Sequence, residues 1–472
     1  MRKSIFVAGC LLWGASIFGQ IVGQKLQKAF AQFETDPQLK HAISSLYVID
    51  AKTGKVVFDK NSQVGLAPAS TQKIITAVTA FELLGKEYRY KTDFGYTGRV
   101  EDDGIKGSVF ITASGDPTFG SWRWDSTSMY YILNRVANSF RQRRIKNILG
   151  SFIYESGKWS TNDIPDGWIW QDVGNYYGAG VSGLNWNENQ FDLFLRSGKN
   201  VGDSVKIVDV YPELNNSLLT SELKSAAKGS GDNAYIYLPK GWPDVLKVKG
   251  TIPVNEQRFK ISGTMLFPYQ VFFSSLDKKL DSIGISIYSG TYVGKSYKEI
   301  ERLKRDSNFN ILFSHYSPYL DSIIYWFLQK SINLYGEALV KTFAYEKKGF
   351  GNTDSGVVIV RNFWKQKGIG EDELNLYDGS GLSPLNRVTT HAQVEILKYA
   401  KTRDWFSYFF NSLPEYNGMK MKSGTISDVK GFCGYHKAKD GKEYIFSFLV
   451  NNYNGPSSVV VGKMYKVLDQ LK

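Results

Sequence analysis

The sequence predicts an α+β fold: an antiparallel sheet with helices, assembled from both ends of the chain, with a long strand-rich insertion between them. Three observations predict it. Toward the N-terminal end, Ile74, Ile75, Ala77, Val78, Ala80, Phe81, Leu83 and Leu84 form an apolar run of helical character. Toward the C-terminal end, 422–426, 431–436 and 444–451 read as strands, the last two joined by a turn at Asp440-Gly441. Between the ends, about 91–301 carries short β-type runs, such as 109–111 and 205–210. Stretches rich in Gly, Asn and Asp separate them.

The first stretch, 34–90, holds a strand pair, 45–50 and 55–58, around a hairpin turn at Lys52-Thr53-Gly54. Ser70 opens the apolar helix as its N-cap, a position that suits a serine hydroxyl. Lys73 follows on the same face, because residues i and i+3 are neighbours on a helix. Within the insertion, about 197–257 reads as a nested module. Gly178-Ala179-Gly180-Val181-Ser182-Gly183 matches the dinucleotide-binding glycine pattern, but it follows no apolar strand and leads into poor helix, so that reading is rejected. The second stretch, 302–472, opens on Ser317-Pro318, an N-cap and N1 pair. Leu320, Ile323, Ile324, Phe327 and Leu328 then keep helical spacing until Ser331-Ile332-Asn333 interrupts it. A second helix, 334–348, stops at Gly349 as a C′ glycine. A third begins near Thr390, with Val394, Leu397 and Ala400 on one face. The two outer stretches are expected to form one domain, and 91–301 to be inserted in it.

A chain of 472 residues suffices for two or three domains. Its 15% aromatic content and 45 glycines suit sheet and turns. The net charge of +13 is scattered, with one compact cluster at Arg141, Arg143, Arg144 and Lys146. Without a basic stripe it reads as solubility and attraction to an acidic envelope, not nucleic-acid binding. Arg2, Lys3 and the apolar core 5–18 form an export signal, giving a signal peptide over about 1–20. Val7-Ala8-Gly9-Cys10 resembles a lipobox, but the apolar core continues past Cys10, which argues against a lipid anchor. No later run reaches the roughly 20 apolar residues that a membrane span needs, so the mature chain is expected to be soluble or peripheral to a membrane. Cys433 is then the lone cysteine and cannot form an internal disulfide. The four histidines show no metal spacing, so neither a metal nor a cofactor is expected.

Three motifs follow in order: Ser70-Thr71-Gln72-Lys73, Ser331-Ile332-Asn333 and Lys422-Ser423-Gly424-Thr425. Each has decoys. S-x-x-K recurs at Ser221, Ser225, Ser275 and Ser427, S-x-N at Ser160, and K-T-G at Lys52. Only Ser70 opens a long apolar helix, and Lys52-Thr53-Gly54 precedes the nucleophile within a turn. The ordered set offers a serine with its lysine base, a facing wall from Ser331 and Asn333, and an edge strand with an oxyanion donor.

That set is the one shared by class A β-lactamases and penicillin-binding proteins. Over nearly the whole mature chain the sequence resembles the class C low-molecular-mass penicillin-binding proteins, the D-alanyl-D-alanine carboxypeptidase/endopeptidase family. Gly115-Asp116-Pro117-Thr118, Ser331 to Glu337, Asp378-Gly379-Ser380-Gly381-Leu382-Ser383, Gly434-Tyr435 and 446–451 carry the likeness, as does the long gap between Ser70 and Ser331. The resemblance implies a serine β-lactamase/transpeptidase-like domain. It implies Ser70 as nucleophile, Lys73 as base, Ser331 as proton relay and Asn333 as a substrate and lysine anchor. The backbone N–H groups of Ser70 and Thr425 would form the oxyanion hole. Lys422, with Ser423, Gly424 and Thr425, would take the terminal carboxylate of D-Ala-D-Ala. Asp116 would pair with the ammonium of a diamino-acid stem, against a reading as a simple turn residue. The partners implied are peptidoglycan stem peptides and β-lactam antibiotics, and the location implied is the periplasm or cell envelope. Ser423 replaces the commoner threonine, and Asp428 stands where the family often has glycine. A non-catalytic cell-wall scaffold and a β-lactamase are the alternatives. The balance of carboxypeptidase and endopeptidase action, the stem diamino acid and the oligomeric state stay open.

Overall fold

The computed structural model describes residues 22–155, 157–214, 217–241, 244–288, 292–295, 302 and 309–472. The expected signal peptide and Cys10 lie outside them. The chain divides into two compact units. One comprises the chain up to Leu83, Ile324–Ser331 and Val357–Lys472, and the other Leu84–Ile323 and Ile332–Gly356.

The first unit is built on a six-stranded antiparallel sheet. Its order is Val56–Lys60, Ile43–Asp50, Glu443–Asn451, Val429–Lys437, Met419–Ile426 and the short Glu415–Tyr416. The two ends of the chain meet where Ile43 pairs with Asn451 and Asp50 with Tyr444. Period-2 alternation sorts the side chains between two buried faces. On one face Phe446, Phe448 and Val450 pack with Leu26, Phe30 and Phe33 of helical residues 22–34 and with Met464 and Val467 of the helix Ser457–Leu468. On the other lie the helices Lys73–Leu83 and Thr390–Lys401. Thr389 caps the latter, its hydroxyl accepting the Ala392 N–H at 2.9 Å.

Within the second unit, a five-stranded mixed sheet runs Tyr292–Lys295, Phe152–Glu155, Val109–Thr112, Lys91–Tyr96 and Asn310–Tyr316. A smaller sheet joins Gln190–Arg196, Lys206–Tyr211 and Phe259–Thr264, and another joins Leu218–Ser221, Lys224–Ala226, Asn233–Tyr237 and Val245–Pro253; the first extends past both ends of the stretch 197–257. Two helices unforeseen in the strand-rich reading, Met129–Gln142 and Pro268–Asp281, line the unit's core through Ile132, Val136 and Phe140 and through Phe272, Phe273 and Leu276.

The helix Asn333–Lys348 ends on left-handed Gly349, as its sequence predicts, and groups with this second unit. The cause is its buried polar anchors. Tyr335 donates to Glu188 at 2.6 Å, Lys341 to the Asn162 and Val181 carbonyls, and Thr342 meets the Tyr90 hydroxyl. Ser317 does not cap the helix Leu320–Gln329. Its hydroxyl accepts the Tyr90 N–H at 2.9 Å and donates to the Pro318 carbonyl.

Candidate active site

Ser70 sits two residues before the cap position of its α-helix. A 3₁₀ turn, Ala69–Gln72, precedes the α-helix, which starts at Lys73, and no side chain caps the turn. The Ser70 hydroxyl is instead presented to Lys73, whose Nζ lies 2.9 Å from Oγ. Ala69, just before the serine, is left-handed at φ 47°. Such strain in a residue with a Cβ persists only where neighbours over-determine it.

Those neighbours are identifiable. Thr71 Oγ1 donates to the Pro68 carbonyl at 2.7 Å and accepts from Gln393 Nε2 at 2.9 Å. Gln393 Oε1 in turn accepts the Ser447 hydroxyl at 2.6 Å, and all three side chains are fully buried. A core helix and the central strand therefore fix the turn that carries the serine.

Lys73 is fully buried. Besides Ser70, its ammonium reaches the Ser380 carbonyl at 2.8 Å, and the Phe327 ring lies 5.9 Å away. The Ser380 loop is organised by Asp378. One carboxylate oxygen accepts Gly381 N, Asn386 Nδ2 and Gln72 Nε2, and the other accepts Ser383 N. Thr76 and Gln72, flanking Lys73, bond the Gly379 and Asp378 carbonyls. The loop thus aims one carbonyl at the lysine.

The Lys422–Thr425 segment belongs to the strand Met419–Ile426, and beyond it only Met419 and Lys420 have strand partners among the described residues. A Cβ added at Gly424 would stand 2.6 Å from the Pro68 carbonyl oxygen, 2.8 Å from Thr71 N and 2.9 Å from Ser70 N. Glycine is what lets this strand touch the serine turn. Lys422 is buried and donates to the Ser423 carbonyl at 2.8 Å. Burial pushes its pKa down to about 7, with Cys433, opposite it in register, opposing the shift and Lys430 adding to it. Burial also raises the Cys433 thiol well above its usual range, which makes it an inert neighbour, not a nucleophile.

Ser331 is left-handed at φ 56°, just past the helix that carries Phe327. Asn333 belongs to the second unit, where its amide donates to the Tyr177 carbonyl at 2.7 Å. Two residues on, Tyr335 is held by Glu188, which also accepts Ser121 Oγ and a two-point contact from Arg123. Asn187, Glu188 and Asn189 are all left-handed, at φ 53°, 54° and 51°. Asp116 lies in the same unit, 2% exposed. Its Oδ1 closes a turn on the Thr118 N–H and hydroxyl, and its Oδ2 is buried without a partner. Burial raises its pKa to about 6.

Ser70, Lys73, the Ser380 carbonyl and Gly424 therefore meet in one unit. Sequence reasoning missed Gln393 and Glu188, because no local pattern marks a buried glutamine or a left-handed turn. It had Asp378 only as part of a resemblance, without a role.

A serine and a buried lysine at one end of a helix, beside the edge of an antiparallel sheet, define the penicillin-binding class of serine acyl-transfer proteins. The chain belongs to the D-Ala-D-Ala carboxypeptidase 3 (S13) family, whose profile matches residues 26–415. It is 25% identical over 462 residues to the D-alanyl-D-alanine carboxypeptidase of Actinomadura sp. (strain R39), covering 90% of this chain and 81% of the relative. The crystal structure of penicillin binding protein 4 (dacB) from Haemophilus influenzae superposes with a TM-score of 0.77 at 19% identity, over 91% of this chain and 96% of that one. The same protein complexed with a novel β-lactam gives 0.72 at 18% identity, over 91% and 95%.

Proposed function

We propose that the protein trims peptidoglycan stem peptides as a serine-type D-Ala-D-Ala carboxypeptidase and D,D-endopeptidase, through an acyl-enzyme on Ser70. The single observation that carries this is the 2.9 Å contact between Lys73 Nζ and Ser70 Oγ, made without water access to the lysine. A serine hydroxyl needs a base within hydrogen-bond reach to become a nucleophile. Lys73 serves as that base when it is neutral. The proton taken from Ser70 passes to the departing D-alanine amine, with Ser331 as relay. Asn333 anchors the stem. Ser70 N–H and Thr425 N–H receive the developing oxyanion, a role supported by the close approach of Gly424 to Ser70 N. Each such donor is worth about 10²–10³ in rate. Water then resolves the acyl-enzyme.

Lys422, Ser423 and Thr425 are assigned to the terminal carboxylate. The closed turn at Asp116 supports a structural role for that residue, and its unpartnered Oδ2 is the observation on the side of a stem ammonium. A β-lactam, which mimics the dipeptide, acylates Ser70, in keeping with the β-lactam complex of the H. influenzae protein. The residues preceding 22 support export to the periplasm or envelope. Among the described residues no helix is long and apolar enough to cross a membrane.

Intact mass after incubation with penicillin tests the assignment. One drug equivalent is expected on the wild type and none on a folded Ser70→Ala variant. Labelling that survives in the variant refutes Ser70 as nucleophile. Weighing the products of muropeptide digestion separates carboxypeptidase from endopeptidase action.

A further inference from the structure

Ser427-Asp428-Val429-Lys430 has the S-x-x-K spacing but lies at a strand reversal, so no helix brings its lysine to its serine. Asp428, left-handed at φ 55°, turns the chain there. Lys430 then returns directly opposite Thr425 in the antiparallel register. Opposed residues of such a pair project from the same face of the sheet. The Lys430 ammonium accordingly donates to Thr425 Oγ1 at 2.7 Å, with the Phe432 ring 5.0 Å away. Burial alone depresses its pKa, with no acidic residue acting against the shift. Its field instead reaches Lys422, as one cation opposing another.

A half-buried ammonium that bonds a hydroxyl, with no carboxylate paired to it among the described residues, has capacity for an anion. Thr425 is exposed and its hydroxyl oxygen accepts a hydrogen bond from the lysine, so its own O–H stays available to donate. Lys422, by contrast, is 2% exposed and already engaged with the Ser423 carbonyl. An anion arriving from solvent meets Thr425 and Lys430 first. We propose that Lys430 is a specificity residue of the reaction, supplying the positive charge that receives the free terminal carboxylate of an acyl-D-alanyl-D-alanine at Thr425. This rests on the reading of Thr425 as part of the carboxylate site. Charge-assisted contacts are about twice as strong as neutral ones, so the hydroxyl and the ammonium together discriminate against a substrate end without charge.

The experiment compares Lys430→Met and Lys430→Arg with the wild type on acyl-D-Ala-D-Ala and on the same peptide as its C-terminal amide. Ser70 acylation by benzylpenicillin and by its methyl ester is measured in parallel. Lys430→Met is expected to lower kcat/KM on the free acid about tenfold, chiefly through KM, which marks lost binding common to ground and transition state. It should leave the amide and the ester unchanged, and Lys430→Arg should retain most of the discrimination. Equal losses on charged and uncharged compounds, or no loss on either, overturn the proposal. A wild type that cleaves neither peptide and takes up no penicillin refutes the carboxypeptidase reading itself.

Discussion

Gly424→Ala probes the contact between the edge strand and the serine turn. The new Cβ would lie 2.6–2.9 Å from three backbone atoms, Pro68 O, Thr71 N and Ser70 N. Ordinary contact begins near 3.4 Å, so the strand and the turn must separate by roughly 0.5–0.8 Å. None of the three atoms belongs to a side chain that can rotate away. The turn is itself pinned by Thr71, Gln393 and Ser447, so the strand has to give. A separation of that size takes one oxyanion donor out of its 2.7–3.1 Å range, which costs about 10²–10³ in rate. Overpacking of this kind costs about 1–3 kcal/mol in stability. Stopped-flow acylation with a fluorescent penicillin reads the first effect, and thermal unfolding the second. Gly431→Ala, at the cross-strand partner of Gly424, is the control. Its Cβ would press mainly on the far end of the Leu449 side chain, at 2.5 Å, which can adjust, and only lightly on the Thr71 methyl, at 3.1 Å, so less than about a tenfold loss is expected. Gly424→Ala that acylates within about threefold of wild type refutes the claim that this close approach builds the oxyanion site.

Two further outcomes follow from buried groups. Lys422 has a folded pKa of about 7 against 10.5 in an unfolded chain, so between those values the unfolded state binds the extra proton and stability rises with pH. Lys422→Met removes that term. The variant should be the more stable protein near pH 7, with the gap closing toward pH 10, as read from urea unfolding at each pH; a gap constant with pH contradicts the assignment. Gln393→Leu strands the buried Ser447 hydroxyl and frees Thr71, at a cost of about 1–3 kcal/mol, and it should slow acylation. Adding Ser447→Ala should restore part of the stability but not the rate; strictly additive losses in stability would show that the two side chains act independently.

Much of the first unit was legible because its signals are local. Alternating apolar residues gave the strands near the C-terminus, and Gly349 gave the end of its helix. The insertion was harder. The helix Met129–Gln142 follows a Ser128 cap and repeats Ile132, Val136 and Phe140, yet the surrounding glycines and asparagines obscured that spacing. Ser70, expected at the cap of the α-helix, lies two residues before that position, inside the 3₁₀ turn. The left-handed Ala69 depends on a glutamine 322 positions from Thr71, and no pattern near the serine reports it. The same distance hid the role of Asp378, whose contact with Gln72 spans 306 positions. The three motifs name the reacting groups. What aims them comes from far along the chain.

The pairing of Ile43–Asp50 with Glu443–Asn451 has a consequence during synthesis. At about 5–20 residues per second, roughly 20–80 s separate the emergence of the first strand from that of its partner. Six of its eight residues are buried in the finished sheet, and for that interval only the short strand Val56–Lys60 is there to pair with it. The intervening chain, with its own apolar core, has all its partners to hand much sooner. Nascent protein therefore passes through a state with one structured body and a sticky N-terminal arm. That arm stays without its main partner until the last strands arrive, and the acyl-transfer centre comes into being only at the end.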